Sequence, residues 1–189
     1  MPYRDTTRKL AAYRREIAGL REKMRALQQR VEPEEVADYE FAGLAGPVRL
    51  SQLFGRKDML FVIHNMGAGC PNCTLWADGF NGVLPHLENR AAFVLSSPDD
   101  PATQAAFAAA RGWRFRMVSH HGTTFAADMG YGREPDWLPG VSVFKRAGDK
   151  ILRVSDTGFE PGDDFCAVWH LFDLISQGAA GWRAQLTYR

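Results

Sequence analysis

Gly69-Cys70-Pro71-Asn72-Cys73-Thr74-Leu75-Trp76 is the stretch from which the rest of the chain can be read. It follows the apolar run Met59-Leu60-Phe61-Val62-Ile63 and opens a segment with helical spacing, so the two thiols are expected where a buried strand hands over to a helix. Pro71 suits the first helical position, where a missing N–H is harmless, and this makes Cys70 the capping residue at the positive end of the helix. A thiolate there faces unpaired backbone N–H groups, which lower its pKa from about 8.5 towards roughly 3.5–7.5. Cys70 is therefore read as the nucleophile of a dithiol redox site. Cys73, about one turn along the helix, is read as the resolving thiol.

Upstream of the motif, Met59 to Asn65 is a continuous apolar run, as expected of a central strand buried on both faces. Tyr39-Glu40-Phe41 and Val48-Arg49-Leu50, separated by Gly43 to Pro47, predict a small hairpin that enters the core. Downstream, Trp76, Phe80, Val83, Leu84 and Leu87 recur at helical spacing, but Gly79, Gly82 and Pro85 interrupt them, and a kink or restart is expected near Pro85. Ala92 to Ser96 predicts a second strand. Asp100-Pro101 opens an Ala-rich helix to Arg111 that Gly112 closes. Strand, helix and strand in that order form a βαβ unit with parallel pairing. Phe115 to Ser119 extends the sheet or runs beside it, and His120 to Leu138 is a loop with one helical turn at Phe125 to Met129. Val141 to Phe144 and Ile151 to Val154, joined through Gly148-Asp149, predict an antiparallel hairpin and hence a mixed sheet. Asp163-Asp164 then introduces a last helix with Phe165, Val168, Trp169, Phe172 and Ile175 on its apolar face and Gly178 as its stop.

The 189 residues, 46% hydrophobic, suffice for one well-packed core with an appendage. The appendage is residues 1–36. Leu10, Tyr13, Ile17, Leu20, Met24, Leu27 and Val31 alternate three and four apart among Arg, Lys, Glu and Gln, a heptad seam that Pro33 brings to an end. The seam fits either an amphipathic helix lying on its own domain or one that pairs with a second subunit as a homodimer. Residues 37–189 are the domain. A formal charge of +1 with dispersed basic residues argues against a nucleic-acid partner. No stretch reaches the roughly 18 consecutive apolar residues of a membrane span, and the polar N-terminus lacks a secretory h-region, so a cytoplasmic protein is expected. Three cysteines do not make a disulfide framework, which leaves catalysis or metal binding for the pair.

A βαβ unit with Cys-x-x-Cys at its first strand-to-helix junction, followed by a hairpin and a terminal helix, resembles a thioredoxin-like domain related to the peroxiredoxins. Such a domain is α/β, with a mixed central sheet flanked by helices. Leu138-Pro139-Gly140-Val141-Ser142-Val143-Phe144 resembles the stretch in which that family places a cis-proline facing the disulfide, and the resemblance makes Pro139 the candidate. The segment Gly69 to Phe80, with Pro139 to Phe144 downstream, is similar to the bacterial thioredoxin-like DUF899 family of unknown function, over about residues 39 to 178. That family supplies no substrate. The Pro-x-x-x-Thr-x-x-Cys pattern of peroxiredoxins would need Pro and Thr where this chain has Ile63 and Gly67, which argues against direct peroxide reduction by that mechanism.

The function expected from these residues is thiol-disulfide exchange with a protein or small-molecule substrate, with no bound cofactor. His64, near the end of the strand, could stabilise the thiolate or be structural, and Trp76 could shield the disulfide or belong to the core. Two other classes stay open. Cys166 and His170, four apart on the last helix, could complete a zinc site with Cys70 and Cys73, or Cys166 could be a small buried hydrophobe. The fold could also serve as a non-catalytic interaction protein that works through its N-terminal helix. His120 and His121 form a loop dipeptide whose side chains diverge if extended.

Overall fold

A computed structural model of the chain describes residues 2–188. They fall into two compact units, Met1–Pro33 and Glu34–Arg189. The first is built on α1 (Tyr3–Gln28), a 26-residue helix rich in Arg, Ala, Leu and Glu that starts after Pro2 and buries none of its residues. Strong helix formers at most positions explain its length without help from packing.

The second unit contains a mixed sheet of eight strands in the order β1-β10-β9-β4-β5-β6-β2-β3. Its centre is β4 (Met59–His64), parallel to β5 (Ala92–Ser97), which is parallel in turn to β6 (Arg116–Ser119). On the other side β4 runs antiparallel to β9 (Gly140–Ala147), the first arm of a hairpin with β10 (Lys150–Gly158). The edges are β1 (Glu34–Val36) on β10, and the hairpin β2 (Glu40–Gly43) and β3 (Gly46–Arg49) beside β6. Residues 34–36 thus pair within the sheet, just before the boundary that the sequence suggests. A short hairpin, β7 (Gly132–Arg133) with β8 (Asp136–Trp137), stands apart. The architecture is thioredoxin-like, with a helical N-terminal arm.

Alternation along β4 divides the core. Leu60 and Val62 join Phe41, Val94, Val118, Phe125 and Phe144 on one face, under α2 (Leu50–Leu53) and α5 (Phe125–Asp128). Ile63 joins Trp76, Leu84, Phe93, Trp113, Phe159 and Trp169 on the other. That second face carries α3 (Pro71–Arg90), α4 (Pro101–Arg111) and α6 (Ala167–Phe172). Asp100 caps α4 by accepting the N–H groups of Ala102 and Thr103, and Gly112 ends it with φ +66°. Among the described residues no helix is long and apolar enough to cross a membrane.

Two elements differ from expectation. α3 runs through Pro85 without a restart. The proline cannot donate to the carbonyl of Asn81, and the Arg114 guanidinium donates to that oxygen instead at 3.2 Å. The Asn81 side chain also accepts the Arg114 N–H and donates to Gly112 O, so the weak point is tied to the turn after α4. The last helix is shorter than its pattern, spanning only Ala167–Phe172 and leaving Phe165 and Ile175 exposed. Asp163 does not cap it, because that carboxylate accepts the Trp76 indole N–H and the backbone N–H of Phe165 and Glu160. Beyond Phe172 the chain continues in turns that bond three residues back.

Candidate active site at the head of the motif helix

The segment between β4 and α3 is held by a few well-placed bonds. Asn65 N–H joins Ser96 O at 2.9 Å, and its side chain accepts the Gly67 N–H at 2.8 Å. Asp99 accepts Ala68 N–H and Ser97 O–H, each at 3.0 Å. Gly67 lies against this carboxylate at φ +102°, a conformation that an L side chain rarely adopts, and a Cβ there would come within 3.0 Å of an Asp99 oxygen. Cys70 N–H then returns to Gly67 O, and the helix begins.

Cys70 is the N-cap of α3, with extended φ −97° and ψ 107°, and Pro71 opens the helix. Its sulfur accepts the backbone N–H of Cys73 at 3.1 Å, while its carbonyl accepts the N–H and O–H of Thr74. All three cysteines are free thiols; Cys70 is half-buried, whereas Cys73 is 2% exposed. The Cys73 thiol donates to Cys70 and brings its pKa down to about 7, helped by the N–H groups of Cys73 and Asn72 and opposed by partial burial. Donation to Cys70, burial and the Cys70 charge push Cys73 far above the usual thiol range. One sulfur is thus prepared to be a thiolate and its neighbour to hold a proton.

The other residues singled out from the sequence lie elsewhere. Trp76 is buried in the core, with its ring centroid 5.4 Å from that of Phe159 and its N–H bonded to Asp163. Pro139 stands one residue beyond the His64–Gly140 pair, at the end of β9 nearest the motif. The cis bond among the described residues is Glu134–Pro135, so the Leu138–Pro139 bond is trans. Its extended course carries the chain directly into β9, with Pro139 O accepting Phe159 N–H at 2.9 Å.

His64 is buried between Tyr131, with ring centroids 3.8 Å apart, and Phe125, at 5.4 Å. Its Nε2 meets Ser142 Oγ at 2.9 Å. Burial, followed by the proximity of His120 and Arg153, holds the ring neutral, so it brings no positive charge to a thiolate. The zinc reading fails on placement: among the described residues no three His, Cys, Asp or Glu side chains gather in a metal-binding group. Cys166 is buried ahead of α6, and His170 is half-exposed beside Asp164.

Sequence reasoning gave no role to four participants. Asp99, which tethers the thiol loop, carried no motif. His120 is buried with Nδ1 at 2.9 Å from Ser96 Oγ and its ring edge-on to Trp137, while His121 is exposed. Tyr131 packs so tightly on β9 that a Cβ on Gly140 would collide with its ring and come 2.6 Å from Thr157 O. The unpatterned tail also contributes Trp182, whose only sequence signal was an isolated aromatic.

The sequence model of a family described as "Bacterial protein of unknown function (DUF899)" matches residues 2–186. No curated protein matches. Among solved structures, a peroxidoxin BcpB from Mycobacterium tuberculosis is 29% identical with a TM-score of 0.51, over 64% of this chain and 80% of that one. Reduced Prx3 from Vibrio vulnificus, in complex with hydrogen peroxide, is 12% identical with a TM-score of 0.57, over 70% and 90%. A peroxiredoxin Q from Xanthomonas campestris is 19% identical with a TM-score of 0.51, over 64% and 80%.

Proposed function

The chain belongs to the DUF899 family of bacterial proteins of unknown function, and from that premise we propose that it is a thiol-disulfide oxidoreductase working through Cys70 and Cys73. The observation that supports the reading is the Cys73 N–H to Cys70 Sγ bond of 3.1 Å at the N-cap of α3, a donor that favours a thiolate at Cys70. In the reducing direction the Cys70 thiolate attacks one sulfur of a substrate disulfide, forming a mixed disulfide and expelling the first substrate thiolate. Cys73 loses its proton and attacks Cys70 Sγ, which expels the second thiolate and leaves a Cys70–Cys73 disulfide. Two electrons pass to the substrate, and an external thiol reductant restores the dithiol. Peroxiredoxin neighbours are consistent with thiol chemistry on this fold, but Ile63 and Gly67 leave out the Pro and Thr of their peroxide-reducing pattern. The proposal places the reaction in the cytoplasm.

The test is a redox titration in which maleimide labels on each cysteine are counted by peptide mass spectrometry. Cys70 and Cys73 are expected to lose label together as a two-electron couple, with Cys166 unchanged. Independent thiols at every potential would overturn the reading.

A further inference from the structure

A cavity of about 470 Å³ opens beside the dithiol, bounded by Pro71 and Asn72 in the first turn of α3, by Pro161, by Trp169 of α6, and by Trp182 and Arg183 of the C-terminal segment. Its volume lies in the roughly 300–1,000 Å³ range of small-molecule sites. A second cavity of about 500 Å³, at the β2–β3 turn, contains no thiol or histidine. The walls beside the dithiol are apolar and held in place: Trp182 packs edge-on to Trp169, with centroids 5.5 Å apart, and to Phe172 at 4.9 Å.

Two polar groups stand in this apolar setting without partners among the described residues. Arg183 is exposed and makes no ion pair. Trp169 is only 9% exposed, and its buried indole N–H bonds to nothing. The first turn of α3 adds the positive end of a 20-residue helix. Aromatic walls and a guanidinium next to the first turn of α3, which Cys70 caps, together describe a specific ligand.

We propose that this cavity is the substrate subsite of the dithiol and takes a small disulfide with a planar apolar body and a carboxylate. The carboxylate faces Arg183, the body lies along Trp182 and Trp169, and the disulfide is presented to Cys70. The proposal rests on the oxidoreductase reading above. Its electron balance is the same: two thiolates leave the substrate as the Cys70–Cys73 disulfide forms.

The test compares single-turnover rates of the reduced full-length protein with dithiobis-nitrobenzoate, a carboxylated aromatic disulfide, and with uncharged dithiodipyridine. Arg183→Ser is expected to lower the ratio of the two rate constants about tenfold, the size of one charge-assisted hydrogen bond, and Arg183→Lys to restore most of it. Trp182→Ala is expected to slow both reagents. An unchanged ratio in Arg183→Ser, with wild type still releasing two product thiols per chain, would overturn the subsite and leave the dithiol reading standing. Failure of wild type to release two thiols with either reagent would overturn both.

A separate observation concerns α1. Leu10, Tyr13, Ile17, Leu20, Met24 and Leu27 are each between 45% and 74% exposed, although they form a 3-4-3-4-3 seam. Ile17 occupies an a position with Leu20 and Leu27 at d, the preference of parallel two-stranded coils. We infer that α1 pairs with the same helix of another chain. Sedimentation of the full-length protein is expected to show a dimer, and Ile17→Asp with Leu20→Asp a folded monomer. A monomeric wild type, a higher oligomer, or a variant that stays dimeric would each overturn this inference.

Discussion

Two pairs of ionisable side chains close the carboxyl ends of the central strands, and the protein treats them oppositely. Cys70 and Cys73 follow β4 at the head of a helix, where a thiol and two backbone N–H groups point at Cys70 and its pKa falls to about 7. His64 ends β4 and His120 follows β6, each fully buried, each bonded through one ring nitrogen to a serine, and each with the other nitrogen unpaired among the described residues. Burial and then the neighbouring His121 take His120 down to about 4. His64 is pushed the same way. Strand-end position is shared, so it does not decide the charge. The local supply of donors does: the thiol is surrounded by them, whereas the imidazoles face aromatic rings and other cationic groups.

The strongest way to break this comparison is Cys70→Ser. With Cys73 buried and held protonated, no other thiol in the motif can take over, so disulfide exchange should fall to background in stopped-flow assays. An active Cys70→Ser protein would mean that the two sulfurs divide their roles the other way. The next effect is on stability. The unfolded chain binds a proton at His120 near pH 6.5, but the native state does not until about 4. Stability should therefore fall as pH drops through that window, by about 3 kcal/mol from this residue alone, and more with His64. Denaturant unfolding across the window checks it, and His120→Asn should flatten the slope. The thiol side gives a smaller pH effect of different kind: exchange should slow about fivefold from pH 7 to 6, as the thiolate fraction of Cys70 shrinks.

Much of the thiol side was legible because its determinants are local. Cap, proline and second cysteine lie within four residues, and the strand before them is a continuous apolar run. The hairpin of β9 and β10 was equally plain, since Gly148-Asp149 separates two β-rich runs. The histidine side was not legible. His120 looks like a loop residue in any short window, and its burial depends on Ser96, Trp137 and the neighbouring strands folding around it. The same holds for the short last helix: Asp163 reads as a cap until Trp76, 87 positions earlier, claims its carboxylate. Pro139 is the candidate for a cis-proline facing the disulfide by resemblance, but its trans bond and its bond to Phe159 make it a strand entry.

The smallest effect asks how far along α3 the thiolate is prepared. Pro85 leaves Asn81 O without its helical donor, and Arg114 fills the place. Arg114→Ala removes that bond and leaves the Asn81 side chain on Gly112 O and the Arg114 N–H, so the second half of α3 should loosen at a cost of about 1 kcal/mol. If the whole helix lowered the Cys70 pKa through its dipole, this fraying would raise the midpoint. The dipole acts chiefly through the first turn, and the donors to Cys70 are Cys73 and Asn72. The thiolate absorbance of Arg114→Ala should therefore titrate with the wild-type midpoint while its denaturation midpoint drops. A shift of the thiol midpoint together with stability would show that the open end of the sheet depends on the length of α3 as well as on its first turn.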